Sequence, residues 1–330
     1  MKTLFVGAGA IGSLLAGYLT RGGADVTLLD TGDHIHAVEK EGLRIHTIGG
    51  GHFDVKVKAL ADARRLGGAD LLVLAVKTFH TESALASVAH LKEGLQCALS
   101  IQNGVEKEDH LIRFFGKEKV VGAMCLEGAT RLGPTEIQHT MSNITYVGEM
   151  DGRETDRAKA ICRLFASGGI KTEVTSQILA ADWAKWINFA ASSAVCGLTR
   201  LPYYKILKNN ELALLFAQVY REYAQLAKAV GVEVRDYPGF EVKTVSEADS
   251  NRAVQILRAR GEALEARGMT KVKPSLCQDV EAGRRTEYEA IFGYAVREAD
   301  KRGLEIPLTR YVYQFLKGMD EFLRQGLTAP

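Results

Sequence analysis

The chain has 330 residues, 46% of them hydrophobic, and 42 basic against 40 acidic side chains give a formal net charge of +2. That length and apolar content suffice for two domains with separate cores. The balanced charge, with no basic cluster and no aromatic–basic alternation, excludes a nucleic-acid-binding surface.

Five scattered cysteines (Cys97, Cys125, Cys162, Cys196 and Cys277) are odd in number and form no C-x-x-C pair, so neither a disulfide framework nor a zinc site is expected. Reduced thiols point to a cytoplasmic protein. All eight histidines lie at or before His139, which leaves the second half without a histidine catalyst. No apolar run approaches the ~20 residues that span a bilayer, so no membrane partner is expected.

The N-terminal "MKTLFVGAGAIGSLLAGYL" has the look of a secretory signal, but its glycines fall where a nucleotide-binding motif wants them. "TLFV" (3–6) reads as a buried strand and "AIGSLLAGYLTRGG" (10–23) as a helix ending in glycine. "DVTLLD" (25–30) is a second strand, and "RIHTIGGGHFDVKV" a hairpin about Gly49–Gly51. "DLLVLAVK" (70–77) is a near-continuous apolar run, as suits a parallel strand buried on both faces.

"TESALASVAHL" is then a helix, "CALSIQ" (97–102) a strand and "VEKEDHLIRFF" a helix, while "KVVGAMCLEGAT" and "NITYVGEM" add strands. Beyond about residue 175 the pattern turns to long helices, near 178–195, 205–230, 246–267, 284–302 and 308–325. The expected architecture is α/β: a Rossmann-type doubly wound sheet over residues 1–175, then an all-helical domain over 176–330 for substrate and dimerisation.

"GAGAIG" supplies Gly7, Gly9 and Gly12 directly between the first strand and the first helix. Gly7 allows the tight turn, Gly9 leaves room for a pyrophosphate, and Gly12 lets the helix pack on the strand. The helix N-terminus, at Ala10 and Ile11, attracts the negative charge. Asp30 closes the second strand about 20 residues on, where the ribose hydroxyls of a dinucleotide lie. Lys77 and Asn103 each end a strand, and ligands of open α/β sheets bind beyond those ends. Taken singly, Lys77 also fits a solvated strand terminus and Asn103 a helix cap or an Asn-Gly turn.

In "ADWAKWIN", on a helix, Lys185, Asn188 and Ser192 fall within about 60° of one another, with Trp183 and Trp186 on the other side. The tryptophans would anchor that helix and the polar face would meet a cleft. A lysine held in a partly dry cleft becomes a usable acid near neutral pH. "SLCQDVEAGRRTEYEAIFGYA" offers Ser275, Asp279 and Glu287, and its residue types alone do not rank Glu287 above its neighbours.

"VGAGAIGS", "LAVKTFHT", "IQNGV", "WAKWINFAASSAVCGLTRLP", "SLCQDVEAGRRTE" and "RGLEIPLT" occur in an order and spacing that resembles the ketopantoate reductase (2-dehydropantoate 2-reductase) family over nearly the whole chain. The resemblance implies a Rossmann domain and a helical domain with the active site between them, reducing the 2-keto group of ketopantoate to D-pantoate with NADPH on the route to pantothenate and coenzyme A.

By position it implies Lys185 as general acid, and Glu287 as the carboxylate that binds the substrate's hydroxyl and faces the cofactor. It further implies Lys77 and Asn103 lining the nicotinamide and substrate site, and Ser275 contacting the substrate carboxylate. The family often has asparagine four residues after the lysine, but Phe189 is there and Asn188 comes one residue early. Ser193 stands where the family's other asparagine would be, within "SSAVCGLT".

NADPH-using members tend to carry arginine near the end of the second strand. Asp30 occupies that place and no arginine follows before Arg44, which favours NADH: a carboxylate accepts from free ribose hydroxyls but repels a 2′-phosphate of about −2 charge. His34 and His36 soften that repulsion only when protonated, and they are mostly neutral at pH 7.

The Tyr-x-x-x-Lys pairs of short-chain dehydrogenases occur at Tyr204/Lys208 and Tyr313/Lys317, both in the helical half, where chance accounts for them. A related 2-hydroxyacid dehydrogenase acting on another branched 2-keto acid, and a non-catalytic NAD(P)-binding regulator, remain open alternatives. The long amphipathic helices of the second half suit a homodimer.

Overall fold

The structure, a computed structural model, describes residues 1–324. It divides into two compact units, Met1–Leu179 and Ala180–Pro330.

In chain order the first unit contains β1 (Thr3–Val6), α1 (Ala10–Arg21), β2 (Val26–Leu29), α2 (His34–Glu41), β3 (Leu43–His46), β4 (His52–Val55), β5 (Lys58–Leu60), β6 (Leu71–Leu74), α3 (Thr81–Ser87), β7 (Cys97–Ser100) and α4 (Lys107–Phe115). It continues through β8 (Val121–Met124), β9 (Gly128–Arg131), β10 (Glu136–Met141), β11 (Thr145–Glu149), α5 (Asp156–Ser167) and β12 (Thr172–Val174).

Five parallel strands form the first sheet in the order β5-β2-β1-β6-β7. A parallel bridge from Ala98 to Val120 leads on toward β8 of the sheet β12-β11-β8. Strands β1, β6 and β7 are buried throughout, which is why each reads as an unbroken apolar run rather than an alternation. The strand order reverses between β1 and β6, the switch point of a doubly wound sheet.

A separate sheet, β4-β3-β10-β9, carries the expected hairpin as β3 and β4. Strand β10 was not expected, because its inward positions include a histidine. His139 is buried, with Nε2 2.7 Å from the Glu127 carboxylate and Nδ1 3.0 Å from the Tyr18 hydroxyl of α1. Burial, and then the Glu127 charge, raise the pKa of Tyr18. The expected strand over 119–130 is in fact two, β8 and β9.

α6 (Ile178–Thr199) runs across the division between the units. The second unit continues with α7 (Tyr203–Lys208), α8 (Asn210–Ala229), α9 (Val242–Glu247), α10 (Ser250–Ala266), α11 (Ser275–Glu281), a π-helical turn at Glu289–Gly293, α12 (Tyr294–Arg302) and α13 (Pro307–Arg324).

The helix expected over 205–230 breaks at Asn209, whose side chain caps α8 by accepting from the Leu212 amide. The helix expected over 246–267 is α10, capped by Asp249, with the short α9 before it. The helix expected over 284–302 begins only at the π turn, and residues 284–287 before it take no regular secondary structure. The end of the helix expected over 308–325, and residues 325–330 of the expected second domain, lie outside the described residues. Among the described residues no helix is long and apolar enough to cross a membrane.

Candidate functional site

In the first unit, Val6 of β1 pairs with Leu74 of β6, and Leu74 with Ser100 of β7, so three strands end side by side. The glycine loop follows the first, Lys77 the second and Asn103 the third. Gly7 turns with φ +112°, and a Cβ there would lie 2.6 Å from the Val76 amide nitrogen. A Cβ on Gly12 would lie 2.1 Å from the Gly7 carbonyl oxygen, so α1 starts against the turn itself. Over Gly9 a Cβ would meet nothing within 4 Å, and Gly9 caps α1 without any side-chain bond to its amides. Packing therefore accounts for Gly7 and Gly12 but not for Gly9. Open space beside the first-turn amides of Ala10 and Ile11 fits a pyrophosphate.

Asp30, directly after β2, is tied into this loop. Its Oδ2 accepts from the Ala8 amide at 2.7 Å and its Oδ1 from the Gly32 amide at 2.9 Å. A carboxylate has about four acceptor positions, so roughly two remain for a ligand. His34 Nε2 lies 3.1 Å from the Ala8 carbonyl oxygen and 3.8 Å from Asp30 Oδ2, whereas His36 is exposed beside Glu39. The residues after β2 thus brace the glycine loop as well as offering a carboxylate.

Lys77 and Asn103 are both partly exposed. The residue that fixes their loops was missed by sequence reasoning: the buried Gln102 donates to the Val76 carbonyl and to Thr81 Oγ1, each at 2.8 Å, and accepts from Ser100 Oγ at 3.0 Å. A glutamine interrupting the apolar run at the end of "CALSIQ" was its only signal.

In the second unit, α6 presents the remaining candidates. Trp183 and Trp186 are buried and meet edge to face at 5.0 Å, and Trp186 also packs against Tyr223 of α8 at 4.6 Å and Tyr294 of α12 at 5.5 Å. The tryptophans anchor the helix, and Lys185 between them stays partly exposed.

Asn188 is held from inside. Its Oδ1 accepts from the Tyr220 hydroxyl at 2.7 Å, the Tyr203 hydroxyl at 3.1 Å and Arg260 Nη2 at 3.0 Å. Three donors on one oxygen fix the amide's orientation and leave Nδ2 as a donor with no acceptor among the described residues. Burial pushes the Tyr220 hydroxyl up to about 12, and Tyr203 higher still, so both remain donors. Arg260 gave no sign in the sequence, being one of several basic residues along α10.

Ser192 is buried and donates back to the Phe189 carbonyl at 3.0 Å, while Ser193 is fully buried with its Oγ unpaired. Ser275, first residue of α11, likewise has a buried, unpaired Oγ.

Glu287 is buried just before the π turn. Its neighbour Thr286 is pinned by its amide to the buried carboxylate of Asp320 on α13, at 2.7 Å. Within the π turn, the Ile291 carbonyl accepts from the Tyr223 hydroxyl at 2.8 Å. Tyr223 therefore joins Trp186, next to Lys185, to the turn that follows Glu287. Single-turn π insertions of this kind recur at functional sites. Among the described residues no group of three or more His, Cys, Asp or Glu is placed to hold a metal ion.

Known proteins resemble this chain over both units. Residues 3–152 match the family described as Ketopantoate reductase PanE/ApbA, and 177–320 match its C-terminal counterpart. A 2-dehydropantoate 2-reductase of Pyrococcus abyssi is 30% identical over 97% of this chain and 98% of its own. The solved structure of a PanE/ApbA family ketopantoate reductase from Ralstonia eutropha is 27% identical, covering 98% of this chain and all of that one with a TM-score of 0.80. A D-mandelate dehydrogenase bound to NADH and anilino(oxo)acetate is 20% identical, with a TM-score of 0.85 over 98% of this chain and all of that one, and shares the fold.

Proposed function

We infer the function from one premise: the chain belongs to the ketopantoate reductase PanE/ApbA family. It is an oxidoreductase of the 2-dehydropantoate 2-reductase type, acting on a CH–OH group with NAD(P). The finer reading is reduction of 2-dehydropantoate to D-pantoate, on the route to pantothenate and coenzyme A. The observation that carries it is the glycine loop with open space over Gly9, flanked by Lys77 and Asn103 on the next two strand ends.

When bound, the nicotinamide supplies the hydride that reduces C2 of the keto acid. Lys185 Nζ donates the proton that the C2 oxygen takes up as it becomes a hydroxyl, and its positive charge steadies that oxygen before transfer. Glu287 accepts from the substrate's own hydroxyl. Ser275 Oγ, buried and unpaired, donates to the substrate carboxylate. Asn188 Nδ2, aimed by its three internal bonds, and the serines Ser192 and Ser193 shape the substrate side of α6. The test is nicotinamide oxidation with a panel of 2-keto acids. Preference for 2-dehydropantoate supports the reading, turnover confined to another branched or aromatic 2-keto acid moves the enzyme to a different 2-hydroxyacid, and no turnover with any of them returns it to a nucleotide-binding regulator.

For the cofactor we infer NADH over the family's NADPH. Asp30 already accepts two backbone amides, which hold its charge in place to repel a 2′-phosphate. Asp30→Arg should raise the NADPH/NADH ratio of kcat/KM at least tenfold. Because it also removes the bond to the Ala8 amide, it should weaken both cofactors. A wild type that prefers NADPH tenfold would show that the phosphate is received by another group.

A further inference from the structure

Between Glu287 and the start of α12 the helical ladder changes step. The Ile291 amide donates to the Glu287 carbonyl at 3.2 Å, an ordinary four-residue step. The Tyr294 amide donates instead to the Glu289 carbonyl, a five-residue step. One residue is therefore inserted within the turn that follows Glu287. Such an insertion draws an amide away from its usual carbonyl, and a buried carbonyl then needs another donor.

Tyr223 of α8 supplies one. Its hydroxyl donates to the Ile291 carbonyl at 2.8 Å, across 68 residues of chain. The side chain is buried, and that burial raises the hydroxyl's pKa well above its ordinary value, so it stays a donor. On the other side of Glu287, the Thr286 amide donates to the Asp320 carboxylate at 2.7 Å. The main chain is thus pinned one residue before Glu287 and four residues after it.

Tyr223 has a second contact. Its ring packs against Trp186 at 4.6 Å, with the planes 64° apart, and Trp186 is next to Lys185 on α6. Trp186 also meets Tyr294, the residue that closes the π turn, at 5.5 Å. One side chain therefore supports two groups by separable means. Its hydroxyl holds the turn after Glu287, and its ring backs the helix that carries Lys185.

We propose that Tyr223 is a positioning residue for substrate selection, a role that rests on Glu287 binding the hydroxyl of the keto acid. Through its bond to Ile291 it fixes the inserted register of the π turn, and so the direction in which Glu287 is presented. Relaxing the insertion to an ordinary helical step would rotate the residues on either side of it by about 100° relative to one another. Thr286 would remain pinned to Asp320, so the change would fall on Glu287 and the residues next to it. The hydroxyl of Tyr223 acts only through the main chain of the turn.

The test compares Tyr223→Phe with Tyr223→Leu, using 2-dehydropantoate and trimethylpyruvate, the same keto acid without its hydroxyl. Tyr223→Phe should raise KM for 2-dehydropantoate by about 3–10-fold, the scale of one displaced hydrogen bond, and leave kcat within about twofold. KM for trimethylpyruvate should hardly move. In a Glu287→Ala background the same substitution should change KM by less than about twofold, because the group it positions is gone. Tyr223→Leu, which also takes the ring from Trp186, should lower kcat with both keto acids. Amide hydrogen exchange across residues 289–294 should quicken about tenfold in Tyr223→Phe, with far-ultraviolet circular dichroism unchanged. A hydroxyl that serves stability alone predicts equal losses with both keto acids and the same loss in the Glu287→Ala background, and either result overturns the proposal. So does an unaltered exchange rate. If Glu287→Ala spares trimethylpyruvate but Tyr223→Phe has no selective effect, only the role of Tyr223 falls. If Glu287→Ala treats both keto acids alike, the role of Glu287 falls and takes the proposal with it.

Discussion

Met1–Leu179 and Ala180–Pro330 each present candidate residues, and they do so in different ways. The first works mainly with main chain: a turn at Gly7, open amides at the start of α1, and a carboxylate, Asp30, that bonds the same loop. The second works entirely with side chains. Lys185 and Asn188 share α6, Ser275 opens α11 and Glu287 precedes the π turn, and buried groups hold the backbone and amide around them: Trp186 anchors α6, Arg260 bonds Asn188, Tyr223 bonds the π turn and Asp320 bonds Thr286. A backbone site is exposed to changes that alter loop geometry, and a side-chain site to changes in the packing behind it. Damage to either half should therefore read out differently.

The largest separation comes from Lys185→Ala. Turnover should fall by ~10²–10⁴, the contribution of a positioned general acid, while cofactor affinity measured by nicotinamide fluorescence stays near wild type. Turnover within a few-fold of wild type would make Lys185 an ordinary surface residue and leave the second unit without its acid.

Trp186→Ala attacks the support rather than the chemistry. Loss of a buried ring that touches Trp183, Tyr223 and Tyr294 should cost about 3–5 kcal/mol of stability, read from the urea midpoint. If the midpoint hardly moves, the aromatic cluster does not hold α6, and the account of how Lys185 is presented fails.

Glu287→Ala should raise KM by roughly 10–100-fold for keto acids that carry a hydroxyl, the scale of a lost hydrogen bond to a charged group. A keto acid without that hydroxyl should suffer far less. Equal losses with both substrates would assign Glu287 to the fold.

The smallest effect lies in the glycine loop and sharpens the contrast within one motif. Gly12→Ala forces a Cβ against the Gly7 carbonyl and should destabilise by about 1–3 kcal/mol. Gly9→Ala meets open space, so it should leave the thermal midpoint within ~1–2 °C yet weaken nucleotide binding several-fold. Matching losses of stability in the two variants would mean that Gly9 serves packing too, and that no ligand approaches there.

The candidate nucleotide loop of the first unit was readable because its determinants are local. Gly7, Gly9, Gly12 and Asp30 sit at fixed distances along one β–α–β stretch, and the backbone they shape is set by residues within a few positions of each. The apolar runs of β1, β6 and β7 likewise announce strands covered on both faces. Periodicity located α6 and placed Trp183 and Trp186 opposite its polar face, since helical spacing alone decides which residues share a side.

The breaks in the later helices were less legible. Asn209 and Asp249 cap α8 and α10, but a polar residue inside a periodic run does not reveal whether its side chain turns back to the main chain. The strand β10 escaped because a buried histidine looks like surface until Glu127 and Tyr18 are known to meet it.

Gln102, Arg260 and Asp320 act through partners 21 or more residues away: Thr81 and Val76, Asn188, and Thr286. The chain by itself determined the strands, the helix faces and the nucleotide loop, because each follows from spacing along the backbone. Where Asn188 points and how the segment before the π turn is held were decided only by the tertiary structure, because a buried polar group must be satisfied by whatever the fold brings beside it.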